Sequence, residues 1–145
     1  MKQKQILLIT ILSLVIGSCT AIKTNGNATK NSNLYDATWE LEYISGPRIA
    51  FNGLYPGKKP EITFDKATKK VTGNNSCNGY TADFSLIGDS MSFGEPGPAT
   101  LMFCGEGEKV FLNMMKKINK FNIDADGKLN LILDDVALMR FHKKP

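Results

Sequence analysis

Between Trp39 and Phe141 the chain is cut into short runs in which apolar and polar residues alternate, most of them closed by turn-forming residues. A side chain on a β-strand changes face at every residue, so a period of two marks a strand with one buried face. "TWELEYISG" sets Trp39, Leu41 and Tyr43 on one face before Gly46-Pro47 ends the run. "PEITFD" gives Ile62 and Phe64, "KATKK" turns, and "KVTGN" returns. In "NNSCNGYTADFSLIG" the Asn78-Gly79 pair signals a turn, both residues tolerating positive φ. Tyr80, Ala82, Phe84 and Leu86 then alternate up to Gly88-Asp89, and "SMSFG" adds Met91 and Phe93. Phe121 and Ile123 lead into an Asp126-Gly127 turn, followed by Leu129, Leu131 and Leu133 on one face and a last strand through Phe141.

One segment has a different period. From Glu106 to about Lys120, Val110, Phe111, Met114, Met115 and Ile118 recur at helical spacing, with Glu106 and Glu108 near the start and Lys116, Lys117 and Lys120 near the end. That charge order complements a helix dipole. Strands, one helix and more strands predict an α+β fold: a small curled antiparallel β-sheet, partly barrel-like, packed with one amphipathic helix.

The N-terminus belongs to another regime. "MKQKQ" is basic, and Ile6 to Gly17 is an apolar run too short for a comfortable transmembrane helix, which needs about 20 such residues. The form is a secretory signal peptide; an uncleaved anchor or a buried helix are the alternatives. Its end, "IGSC", resembles the bacterial lipobox, which implies recognition of Ile16, Gly17 and Ser18 and acylation of Cys19 by diacylglycerol and a palmitate-type chain. Two or more acyl chains hold a protein stably on a membrane. The expected division is a signal peptide over 1–18, a flexible tether over 19–33 and one folded domain over 34–142. Loss of Lys2 and Lys4 with the signal halves the formal charge of +4, which removes the support for a nucleic-acid partner. The expected location is the bacterial cell envelope, lipid-anchored, with a lean to the outer membrane because Thr20, and not a retaining Asp, follows Cys19.

Export changes the meaning of the other two cysteines. In an oxidising compartment Cys77 and Cys104 are expected to form a disulfide, worth about 3–4 kcal/mol on a chain-entropy estimate. Two buried free thiols are the alternative.

The landmarks "WELEYISG", "PEITFD", "VTGNNSCNGY", "TLMFC", a helix and "LMRF" together resemble the META domain, the HslJ-like family of bacterial heat-shock-linked and exported proteins. The motif positions here are Gly73, Cys77, Asn78 and Tyr80, then Thr100, Met102 and Cys104. The resemblance implies a small α+β domain, often carried by lipoproteins, linked to stress phenotypes and without an established catalytic activity. Phe103 stands where a small residue is usual, which implies local repacking.

No catalytic constellation emerges from the residues. The sole histidine, His142, is close to the C-terminus and reads as a surface residue, and Cys77 has no second His to activate it. "DADG" at 124–127 and the Asp134-Asp135 pair read as turns, with no closing Glu for a calcium loop. No metal site and no cofactor are expected. Phe51 and Tyr55 lie in "AFNGLYPGKKP", where a stiff loop could present two rings to a sugar or peptide; folding back over the sheet is the alternative. Asn74, Asn75, Ser76 and Asn78 offer polarity for a glycan or for a turn, and Lys58, Lys59, Lys69 and Lys70 offer a basic patch for lipid headgroups. The expected function is a membrane-anchored envelope lipoprotein that is not an enzyme, with a structural, interaction or stress-related role. Its partners would be membrane lipid through Cys19 and an envelope protein or glycan; an envelope glycan- or peptide-binding module is the alternative.

Overall fold

The computed structural model describes residues 33–35, 37–97, 102–103 and 105–145. The expected signal peptide, Cys19, nearly all of the tether, Thr100 and Cys104 lie outside them. Among the described residues eight antiparallel strands follow one another as neighbours: β1 (Thr38–Ile44), β2 (Glu61–Asp65), β3 (Lys70–Asn74), β4 (Gly79–Ile87), β5 (Ser90–Phe93), β6 (Lys120–Ile123), β7 (Leu129–Leu133) and β8 (Val136–Lys143). β8 returns to pair with β1, Leu41 opposite Phe141, so the sheet closes into a ring and not merely a curl. Closure leaves the first and last strands without a free edge. Among the described residues two helices interrupt the meander, α1 (Phe51–Leu54) before β2 and α2 (Gly107–Met115) between β5 and β6.

The period-two faces fill the ring. Trp39, Leu41, Ile62, Phe64, Val71, Phe84, Leu129 and Met139 are buried in one apolar cluster. One expected inward residue is an exception: Tyr43 is 47% exposed and its neighbour Ile44 is buried. The β1–β8 register slips between Leu41 and Tyr43, and such a bulge inserts a residue that reverses which side chains face inward.

α2 is shorter than the periodicity predicts. After Met115 the bonds tighten: Lys117 N–H donates to Met114 O and Ile118 N–H to Met115 O. Asn119 N–H is then taken by Ile132 O, and Lys120 opens β6. Phe111 and Met115 are buried, the Phe111 ring centroid lying 5.7 Å from Tyr80 and 6.5 Å from Phe141. α1 forms where a loop was expected, with Leu54 buried beneath it.

Because neighbours run antiparallel in chain order, every connection after an odd-numbered strand falls at one end of the ring. The 45–60 segment, the 75–78 turn, the start of α2 with Met102 and Phe103, and the 134–135 turn share that end. At the opposite end, Leu34 is fully buried and its carbonyl accepts from Trp39 Nε1–H at 3.0 Å. Lys58 and Lys59 therefore stand at one end and Lys69 and Lys70 at the other, separated by β2, and Lys59 and Lys70 are ion-paired to Glu40 and Asp83. They do not form the basic patch that their sequence suggests.

Gly73 explains itself through the ladder. It sits opposite Ile62, and a Cβ there would lie 1.9 Å from the Glu61 carbonyl oxygen. Only glycine allows β2 and β3 to approach this closely.

Candidate functional site

The motif residues gather where the β3–β4 turn meets the start of α2. Asn75 is fully buried; its Oδ1 accepts from the backbone N–H groups of Cys77 at 3.2 Å and Asn78 at 2.8 Å. The chain also closes on itself through Asn75 N–H to Asn78 O at 3.0 Å. The residue in positive φ is Ser76, at +91°, and neither Asn78 nor Gly79. A non-glycine residue there costs about 1–3 kcal/mol and persists because its neighbours over-determine it.

Those neighbours converge on one carboxylate. Asn75 Nδ2 donates to Glu108 Oε1 at 2.7 Å, and Asn78 Nδ2 donates to Glu108 Oε2 at 2.9 Å. Asn78 also grips the backbone of Met102, its Nδ2 donating to Met102 O at 2.8 Å while its Oδ1 accepts from Met102 N–H at 3.1 Å. Glu108 lies in the first turn of α2, where the helix dipole favours a negative charge. One amide pair thus fastens a tight turn, a neighbouring segment and a helix start. Cys77 Sγ is 3.2 Å from Met102 O.

Tyr80 follows the turn with its ring against Phe111 and its hydroxyl donating to Glu61 O at 3.3 Å. Burial pushes this phenol well above the ordinary tyrosine range. Tyr55, expected as a candidate ligand platform with Phe51, is only 3% exposed. Its hydroxyl donates to Gly107 O at 3.1 Å, burial raises its pKa, and Phe51 packs half-buried against it at 5.2 Å. Tyr55 therefore offers no face to a sugar or peptide. Gly107 makes this possible, since a Cβ there would stand 2.6 Å from Leu54 O. Phe103 is 87% exposed, so it repacks nothing beneath it.

Beside α2 runs a cleft of ≈ 420 Å³. Tyr80 and Leu112 line it, Pro96 and Gly97 form the facing wall, and Lys116 bridges to Glu95 at 2.6 Å. Lys109 and Asn113, both exposed, line it as well.

The remaining candidates lie elsewhere. His142 is on β8 opposite Glu40, with Nε2 3.6 Å from Glu40 Oε1 and Nδ1 3.6 Å from Glu42 Oε2. Lys59 and Lys128 approach the same two carboxylates on the outer wall. Asp124 serves a turn, its Oδ1 accepting from Asp126 and Lys128 N–H groups. Asp134 sits at φ +56° in the β7–β8 turn. Among the described residues no group of three or more His, Cys, Asp or Glu is placed to hold a metal.

Sequence reasoning missed Glu108 and Gly107 as site residues. Glu108 reads locally as a dipole partner, and nothing local announces that two asparagines 33 and 30 residues earlier will bind it.

An NMR structure of a protein from Burkholderia xenovorans is similar in fold, with a TM-score of 0.61, at 24% identity over 81% of this chain and 88% of that one. No curated protein matches the chain. The model of the META domain matches residues 32–145, the span of the ring and of the motif network, and the chain belongs to the META domain family.

Proposed function

We propose that the chain is a lipid-anchored protein of the bacterial cell envelope, held by acylated Cys19, whose META domain is a non-catalytic structural or interaction module. The observation that carries the non-catalytic reading is the destination of the motif's hydrogen bonds. Asn75, Asn78 and Glu108 spend their polar atoms on one another and on backbone, which fits a fastening better than a reacting group. The reading invokes no cofactor and no nucleic acid. A Cys77–Cys104 disulfide belongs to it, supported by the Cys77 sulfur lying against Met102, two residues before Cys104. A stress-related role in the outer membrane is the extension that the family resemblance and Thr20 favour.

Intact-mass measurement of membrane-extracted protein tests the anchor. Loss of residues 1–18 with a diacylglyceryl adduct on Cys19 is expected. A soluble product unaffected by Cys19→Ala overturns it. The cleft beside α2 favours a second reading, in which the domain takes an envelope glycan or peptide there and not over Phe51 and Tyr55. Whole-cell crosslinking followed by pull-down, comparing wild type with Asn113→Ala, separates the two readings.

A further inference from the structure

Six large apolar side chains are exposed among the described residues, and four of them share one end of the ring. Ile49 (52% exposed) is on the β1–β2 connection, Met102 (61%) and Phe103 (87%) precede α2, and Val136 (58%) opens β8 at the β7–β8 turn. Met102 is fixed to that end by its two bonds to Asn78. Ordinary burial accounts for none of these four, and they come from three separate connections.

The charges at this end have one sign to spare. Arg48, Lys58 and Lys109 are exposed and have no carboxylate partner among the described residues. The acids there are mostly occupied: Glu95 by Lys116, Glu108 by two asparagines, Asp135 by Lys120 and Asp134 by Asn119. Glu106 remains. Apolar tips flanked by unpaired cations match the layered chemistry of an anionic bilayer surface, acyl chains beneath and phosphates above. Separate prongs suit a plane, whereas a small ligand needs a concavity.

We infer that this end of the domain, led by Phe103 and Met102, docks on an anionic lipid surface. The inference rests on the lipid-anchored reading and adds an orientation to it. The folded domain begins at the opposite end, where Leu34 is buried. Chain geometry permits the arrangement: the stretch from Cys19 to Asn33 spans at most about 50 Å, while the eight residues of β8 cover only about 26 Å. The anchor sets a high local lipid concentration, and the prongs and cations then decide which end turns toward the membrane.

Fluorescence from the acylated full-length protein in vesicles of mixed zwitterionic and anionic phospholipid, with and without doxyl-labelled lipid, tests this. Trp39, the chain's one tryptophan, is buried and supplies a constant background. Phe103→Trp places a reporter on the docking end. Ile87→Trp places one at the opposite end, where Ile87 is 78% exposed beside the β4–β5 turn. Doxyl lipid is expected to quench the added emission of Phe103→Trp and to spare that of Ile87→Trp. Arg48→Glu with Lys58→Glu is expected to weaken the quenching, as is added salt. Protein that stays on the vesicles with neither reporter quenched, or with only the Ile87 position quenched, overturns the orientation and leaves the anchor standing. Protein that leaves the vesicles overturns both. Phe103 that is shielded from lipid and crosslinks to a protein in cells assigns this end to a protein partner and overturns the inference as well.

Discussion

Asn78 and Glu108 stand 30 residues apart in sequence and 2.9 Å apart in the fold, the amide of one turn donating to a carboxylate oxygen at a helix start. Asn75 takes the other oxygen at 2.7 Å. Glu108→Ala removes the acceptor that buried Asn75 Nδ2 uses and one of the two that Asn78 Nδ2 uses, Met102 O remaining; a buried donor left unmet costs about 1–3 kcal/mol. Denaturant unfolding of Glu108→Ala should lose about 2 kcal/mol or more. Glu108→Gln, which presents one acceptor instead of two, should fall between the variant and wild type. Equal stability in all three would show the network to be idle.

Gly73→Ala should be among the most damaging small substitutions, because its Cβ meets backbone and no flexible side chain. Overpacking of this kind costs about 1–3 kcal/mol or more. Gly57→Ala, with nothing within 4 Å, is the control and should leave the melting temperature unchanged.

Alkaline pH should unfold the domain through its buried phenols. The folded-state pKa values of Tyr55 and Tyr80 lie above the ordinary value of 10.0 because burial disfavours the phenolate. Below pH 10 both are neutral in either state; above it the unfolded chain ionises first, so stability falls as pH rises. Absorbance titration should show these two tyrosines ionising together with the loss of near-ultraviolet dichroism.

Asp124 acts at the other extreme. Its carboxyl lies below the ordinary 3.8, first because Lys128 N–H donates to it and next because Asn130 does. The sign is that of a depressed acid: its contribution is complete above the unfolded value and is lost as pH falls through the folded one. An NMR titration should place the Asp124 inflection below that of the free side chain, and Asp124→Ala should abolish this part of the acid dependence.

Reduction should weaken the domain if Cys77 and Cys104 are paired. Thiol labelling of denatured, unreduced protein should find neither, and reduction should cost about 3–4 kcal/mol. Full labelling of both returns the motif to packing alone.

The sequence by itself determined the strands. Their faces follow from a period of two, which needs no knowledge of distant residues, and all eight were legible from alternation and turn chemistry. The Asp126-Gly127 turn was legible for the same reason, since Gly127 at φ +74° is a local property. Only the tertiary structure decided the rest. Closure of β8 on β1 joins residues about a hundred positions apart, and the bulge that turns Tyr43 outward exists only because of that pairing. The end of α2 depends on Ile132 capturing Asn119, and the burial of Tyr55 depends on Gly107 leaving room. In the site, Asn78 could be named from the motif, but its partner Glu108 could not. A hydrogen bond between distant residues leaves no periodic trace, because its geometry is set by the ring that brings two connections to one end.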